Sequence, residues 1–134
     1  MALVVLDASV VIGFLDPEDR LHAACVTALA GLEHDDLVVP ASAYAEILVG
    51  PYRAGAEAVA EVDAFLSDFA IRIEPITTAV ARTAAQLRSS KKSLRLPDAL
   101  VLACGEAIGA EAVLTGDDSL AKAGRQVRHV GNRR

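Results

Sequence analysis

The chain has 134 residues, a size that fits one compact domain of 1–134. Its 53% hydrophobic content is enough for a sizeable core and leaves apolar surface for a partner. The net charge of −5 argues against a general DNA-coating protein, and the absence of Trp argues against an aromatic platform for unpaired bases.

The charge is unevenly spread. Residues 1–67 carry 11 acids and 2 bases, a balance of −9, and residues 68–134 carry 7 acids and 11 bases, a balance of +4. No run of about 20 apolar residues is present, so no membrane span is expected. The opening MALVVLDASVV lacks a basic segment and does not read as a signal peptide. Cys25 and Cys104 lie far apart within apolar helical patterns and read as buried reduced thiols. A cytoplasmic location is expected.

Ala2–Leu6 is a continuous apolar run, as in a strand buried on both faces. Asp7-Ala8-Ser9 opens a short helix. Asp16-Pro17-Glu18-Asp19 carries start signals for a helix to about Gly31. A short strand over Asp36–Val39 ends at Pro40. Residues 41–50 predict a helix that Gly50-Pro51 interrupts, and an amphipathic helix follows at about 55–68. On it Val59, Val62, Phe65, Leu66 and Phe69 recur at helical spacing, either as core or as a groove for a partner. Ala70–Glu74 is a third strand. Thr77 can cap a helix to about Arg88. The loop Ser89–Arg95 leads to a long apolar helix from Leu96-Pro97-Asp98 to Ile108, with Gly109 as its stop. Ala112–Leu114 is a fourth strand, a short helix runs to about Ala123, and a last strand spans 126–130. Residues 131–134 read as a flexible tail. The alternation predicts an α/β domain with a parallel sheet.

In such a sheet, ligands gather beyond the carboxyl ends of the strands. Asp7 follows the first strand and Asp117 the fourth. Glu46 sits in the helix entered from the second strand. Asp98 opens the helix that leads into the fourth. Taken singly, Asp7, Asp98 and Asp117 can be helix caps or dipole partners. Glu46 is harder to explain. It is the only acid or base between Pro40 and Arg53, in a helix that reads as buried. Four close carboxylates would repel one another, and Mg2+ or Mn2+ would resolve the conflict. Ser9 can add a hydroxyl, Thr115 can bond to the Asp117 loop, and Asp118 competes with Asp117 for the inward position.

These residues stand in a recognisable order. Leu-Asp-Ala-Ser-Val-Val-Ile at 6–12, Pro40-Ala-Ser-Ala-Tyr-Ala-Glu46, Leu-Pro-Asp98-Ala-Leu-Val-Leu-Ala and Leu-Thr-Gly-Asp117-Asp-Ser-Leu resemble the motifs of the PIN-domain ribonucleases. The subgroup they resemble is the VapC-like toxins of toxin–antitoxin pairs. The resemblance covers nearly the whole chain. It implies a PIN-like three-layer sandwich with a five-stranded parallel sheet in the order 3-2-1-4-5. It also implies a Mg2+ or Mn2+ site and endonucleolytic cleavage of RNA. On this reading Asp7, Glu46, Asp98 and Asp117 form the acidic quartet, and Asp7, Asp98 and Asp117 are the metal ligands. Glu46, at a helix middle, is expected to hold water. Ser9 matches the small hydroxyl residue of the motif. Leu120 departs from it, because an aromatic usually stands there.

The resemblance further implies a homodimer and a cognate antitoxin that blocks the site. Arg88, Lys91, Lys92 and Arg95 place four cations just before Asp98 and are expected to contact RNA phosphates, with Arg125, Arg128, Arg133 and Arg134 as an extension. The alternative is a non-catalytic PIN-like module that binds RNA or a protein. A haloacid-dehalogenase-like phosphatase is disfavoured because Ser9 stands where a second aspartate is needed. A receiver-type domain lacks its acidic pair and late lysine.

Overall fold

The computed structural model describes residues 1–131. The expected tail beyond Gly131, with Arg133 and Arg134, lies outside the described residues. Five parallel strands form one sheet: β1 (Leu3–Leu6), β2 (Asp36–Pro40), β3 (Arg72–Glu74), β4 (Ala112–Thr115) and β5 (Val127–His129). Their order is β3-β2-β1-β4-β5, as the resemblance implied. Seven helices flank the sheet among the described residues. They are α1 (Ala8–Leu15), α2 (His22–Ala30), α3 (Ala41–Ala54), α4 (Ala56–Asp68), α5 (Thr78–Ser90), α6 (Leu96–Ala107) and α7 (Asp118–Ala121).

Burial follows strand position. Every residue of β4 is buried, and so are Val4, Val5 and Leu6 of β1, because helices cover both faces of a central parallel strand. The edge strand β3 reads Arg-Ile-Glu and is largely exposed. In register, Leu6 pairs with Leu114 and Val5 with Val38. The Asp7 N–H donates to the Leu114 carbonyl at 2.9 Å, so the ladder continues one residue past β1. Gly105 of α6 lies where a Cβ would stand 3.2 Å from Val113, which lets α6 settle closely on the sheet.

Two elements differ from expectation. Residues 17–21 form turns, and α2 starts only at His22. Asp16 and Asp19 spend their side chains on the backbone N–H groups of Glu18 and Leu21, at 2.9 Å each, which favours successive turns over a helix. Helix α3 does not stop at Gly50-Pro51 but runs to Ala54 with Pro51 inside it. Proline removes one donor there, yet the next turn closes through Gly55 N–H to the Pro51 carbonyl at 2.9 Å. The break falls at Gly55, whose φ of 133° only glycine adopts readily.

Other expectations hold. The Thr77 hydroxyl accepts from Val80 N–H at 3.1 Å and caps α5. Gly109 has φ 69° just beyond α6. Cys25 and Cys104 are free and buried. Leu120 is fully buried, so an aliphatic side chain fills the aromatic's place. Val62, Phe65 and Leu66 join the core, while Phe69 stays 40% exposed on the edge of a three-ring cluster with Phe14 and Phe65.

Candidate active site

The chain direction gathers the acids. β1, β2 and β4 all end at one edge of the sheet. α3 leaves from that edge, and α6 runs back toward the start of β4, so its first turn lies there too. Asp7, Glu46, Asp98 and Asp117 therefore come from four different segments to one edge.

Asp7 is 6% exposed. Its Oδ2 accepts from the Ser9 and Thr115 hydroxyls, each at 2.8 Å. Among the described residues no protein donor reaches its Oδ1. Both hydroxyls serve twice. Ser9 Oγ accepts from Gly116 N–H at 2.8 Å, and Thr115 Oγ1 accepts from Asp117 N–H at 2.9 Å. Thr115 thus ties Asp7 to the loop bearing Asp117. Gly116 permits the approach, since a Cβ there would lie 2.7 Å from Leu21 Cδ1 and 3.4 Å from Ser9 Oγ.

Asp117 has two roles in one carboxylate. Its Oδ1 accepts from Ser119 N–H at 2.8 Å and Leu120 N–H at 3.3 Å, capping α7. Its Oδ2 lies 3.5 Å from Arg95 Nη2. Asp118 turns elsewhere: its Oδ1 is 2.9 Å from His129 Nε2. His129 Nδ1 accepts from Gly131 N–H at 3.0 Å, while its buried Nε2 makes no hydrogen bond and meets Asp118 only as an ionic contact. Of the two neighbours, Asp117 faces the other acids.

Asp98 is 5% exposed, and its Oδ2 is buried with no hydrogen-bond partner. Arg95 Nε lies 3.7 Å from that atom, an ionic contact too long for a direct hydrogen bond. Burial first, then the charges of Asp117 and Asp7, raise the Asp98 carboxyl from 3.8 to about 6, with Arg95 opposing. Glu46 is exposed, which corrects the expectation of a buried helix face. Its carboxyl is nonetheless raised, by partial desolvation first, then by Asp7 and Asp98, with Arg95 again opposing. Glu46 thus feels the charges of Asp7 and Asp98, and Asp98 those of Asp7 and Asp117.

The donor set suits a hard divalent cation: all oxygen, two buried carboxylates, and a buried Oδ2 on Asp98 that lacks a partner. Among the described residues, no three His, Cys, Asp or Glu side chains are close enough together to hold an ion as they stand. A guanidinium lies between two of the acids instead. Sequence reasoning assigned Arg95 to the phosphate-binding loop and missed this contact. The available signal was its position three residues before Asp98 at a helix start. Arg88 and Lys92 are exposed, while Lys91 Nζ donates to the Ala123 carbonyl at 3.0 Å and anchors the loop.

Beside Glu46 a groove of about 310 Å³ opens between α1, α3 and α4. Ile12, Leu15, Ile47 and Val62 line it together with Asp16, Glu46 and Glu61. No helix among the described residues is long and apolar enough to cross a membrane.

A doubly flanked parallel sheet with a carboxylate cluster at its carboxyl edge defines the class. The PIN domain family model matches residues 4–126, and the chain belongs to the PIN domain family. Comparison with curated proteins gives no significant match. Among solved structures, the chain is similar to the FitAB complex bound to an IR36 DNA fragment, at 25% identity and a TM-score of 0.78 over 98% of this chain and 97% of that one. It is also similar to a toxin–antitoxin complex from Klebsiella pneumoniae, at 20% identity and a TM-score of 0.78 over 95% and 97%. A third is VapC20 of Mycobacterium tuberculosis, a toxin that cleaves the sarcin–ricin loop, at 17% identity and a TM-score of 0.76 over 90% and 95%. The resemblance drawn from the four motifs therefore holds.

Proposed function

We propose that the protein is a Mg2+- or Mn2+-dependent endoribonuclease, one PIN-like domain over the whole chain, acting as the toxin of a toxin–antitoxin pair. The observation that supports this reading is the buried pair Asp7 and Asp98 at the carboxyl edge of the sheet, with an unpartnered Oδ2 on Asp98 and the charges of Asp117 and Glu46 nearby. Membership of the PIN family and the toxin neighbours point the same way.

Asp7, Asp98 and Asp117 would hold the ion. When bound, it supplies Lewis acidity toward a phosphodiester and offsets the repulsion among the acids. Ser9 and Thr115 fix Asp7 through Oδ2 and leave Oδ1 as its donor. Glu46 lies at the exposed mouth of the site, and its raised carboxyl suits it to orient a water and take its proton. Arg88 at the end of α5 and Lys92 in the loop hold the RNA backbone as exposed cations, and Lys91 steadies that loop.

An antitoxin is the partner that the neighbouring complexes suggest. The groove beside Glu46 suits a partner segment with apolar side chains and a cation, since its floor is aliphatic and its rim acidic. Val49 and Tyr52 of α3, 50% and 69% exposed, offer apolar surface for a homodimer or the antitoxin. The test is incubation of purified protein with total RNA, with Mg2+ or Mn2+ and with chelator, beside an Asp7→Asn variant. Cleavage should need both the ion and Asp7. Cleavage indifferent to chelator and to the substitution would falsify the mechanism. No cleavage of any RNA would favour a PIN-like binding module.

A further inference from the structure

The guanidinium of Arg95 stands among the acids and belongs to no cation site that the motifs describe. Arg95 is the residue just before α6, and its side chain is 72% exposed. It reaches inward nevertheless, to Asp98 Oδ2 at 3.7 Å and Asp117 Oδ2 at 3.5 Å. The first of these atoms is buried and has no hydrogen-bond partner. The second belongs to a carboxylate whose other oxygen is committed to capping α7. The two free oxygens of the pair therefore face one cation, and that cation is part of the chain.

Resting on the metal-dependent reading above, we propose that Arg95 is a built-in counter-ion, which neutralises Asp98 and Asp117 without metal and is displaced when a divalent ion binds. Two observations make the exchange feasible. Both contacts are longer than a direct hydrogen bond, so neither locks the guanidinium in place. The side chain is mostly in solvent, so leaving costs little desolvation or packing. A divalent ion and a guanidinium compete for the same two oxygens, and their charges cannot share so small a space. Once displaced, Arg95 remains tethered at the mouth of the site, in the same basic segment as exposed Arg88 at the end of α5 and Lys92 in the loop that follows. A polyanionic substrate meets it there. Arg95 is thus a positioning residue whose phosphate contact depends on metal loading.

The experiment is calorimetric titration of Mn2+ into the metal-free full chain at about pH 8, where carboxyls are ionised. Wild type is compared with Arg95→Ala, Arg95→Lys and Arg88→Ala. Arg88 makes no ion pair with the four acids, so it controls for general loss of positive charge. Arg95→Ala should bind Mn2+ about fourfold more tightly than wild type, since two weak, solvent-screened ionic contacts no longer compete. Arg95→Lys, which lacks the planar fork, should fall between. Arg88→Ala should change affinity by less than about twofold. Equal or weaker Mn2+ binding by Arg95→Ala, or equal tightening by Arg88→Ala, would overturn the displacement. No Mn2+ binding by any of the four proteins would instead overturn the metal reading itself. The handover to substrate is read from single-stranded RNA affinity, with Ca2+ or with EDTA. Arg95→Ala should lose about fivefold with Ca2+ and under about twofold with EDTA. An equal loss in both conditions would refute the handover.

Discussion

Asp98→Asn should make the metal-free protein more stable, although it removes a residue proposed to be essential. The carboxyl is 5% exposed and raised from 3.8 to about 6 by burial and by Asp117 and Asp7. A carboxyl with a raised folded-state pKa favours folding while protonated. Between about 4 and about 6 the native state binds more protons than the unfolded state, so stability falls as pH rises through that window. Above it the whole cost of ionising a buried acid is present. A rise of about two units corresponds to about 3 kcal/mol at about pH 8, and to almost nothing at about pH 4. Asn has the same shape, carries no charge, and breaks no hydrogen bond to Oδ2, because none exists. The assay is urea unfolding in EDTA at both pH values, with unchanged m-values as the check on two-state behaviour. Asp98→Asn should gain about 3 kcal/mol at about pH 8, or about 9 °C in Tm for a domain of this size, and under about 0.5 kcal/mol at about pH 4. Equal stability at both pH values, or a loss at the higher one, would refute the claim that burial and the neighbouring acids penalise ionised Asp98 in the folded state.

Thr115→Val keeps shape but removes the donor to Asp7 and the acceptor for Asp117 N–H, so it should cost about 2–3 kcal/mol of stability in urea melts, together with cleavage activity. A cost under about 0.5 kcal/mol would mean the bridge between the two acids is dispensable. Glu46→Gln should abolish RNA cleavage while Mn2+ titration still shows binding. Loss of metal affinity equal to that of Asp7→Asn would make Glu46 a ligand instead. Reversing Arg88 and Lys92 to Glu should weaken RNA binding and lower the slope of log affinity against log salt by about 2. Unchanged binding at several salt concentrations would remove the loop from the RNA surface.

The sheet was legible in the sequence because burial dictates it. Ala2–Leu6 and Ala112–Leu114 are apolar runs that only a central strand between two helical layers accommodates. The acids were legible because three of them terminate or open elements. Asp117 shows why caution over a cap was also right: one oxygen caps α7 and the other faces Arg95. Helix α3 misled for a physical reason. Isolation in the sequence suggests burial, yet Glu46 is solvent-facing, and its charged neighbours come from other segments: Asp16 and Glu61 across the groove, and Asp7, Asp98 and Arg95 in the site. Pro51 was read as a terminator, but near a helix end it forfeits only one bond. The turns at 17–21 escaped because Asp16 and Asp19 look alike as dipole partners and as turn-formers. Arg95 escaped because an exposed arginine in a basic loop gives no hint of which way it folds back.

The pairing of β1 with β4 sets a condition on how the protein is made. Asp7 lies at the start of the chain, and the hydroxyl and loop that hold it come from Thr115 to Asp117. During synthesis Asp7 leaves the ribosome long before its partner strand has been translated, and the sheet lacks that neighbour until then. A polypeptide truncated anywhere upstream of residue 112 has no β4, no Thr115 and no Asp117. On the proposed function, a message broken before that point therefore yields fragments that lack part of the acidic set and the hydroxyl that holds Asp7.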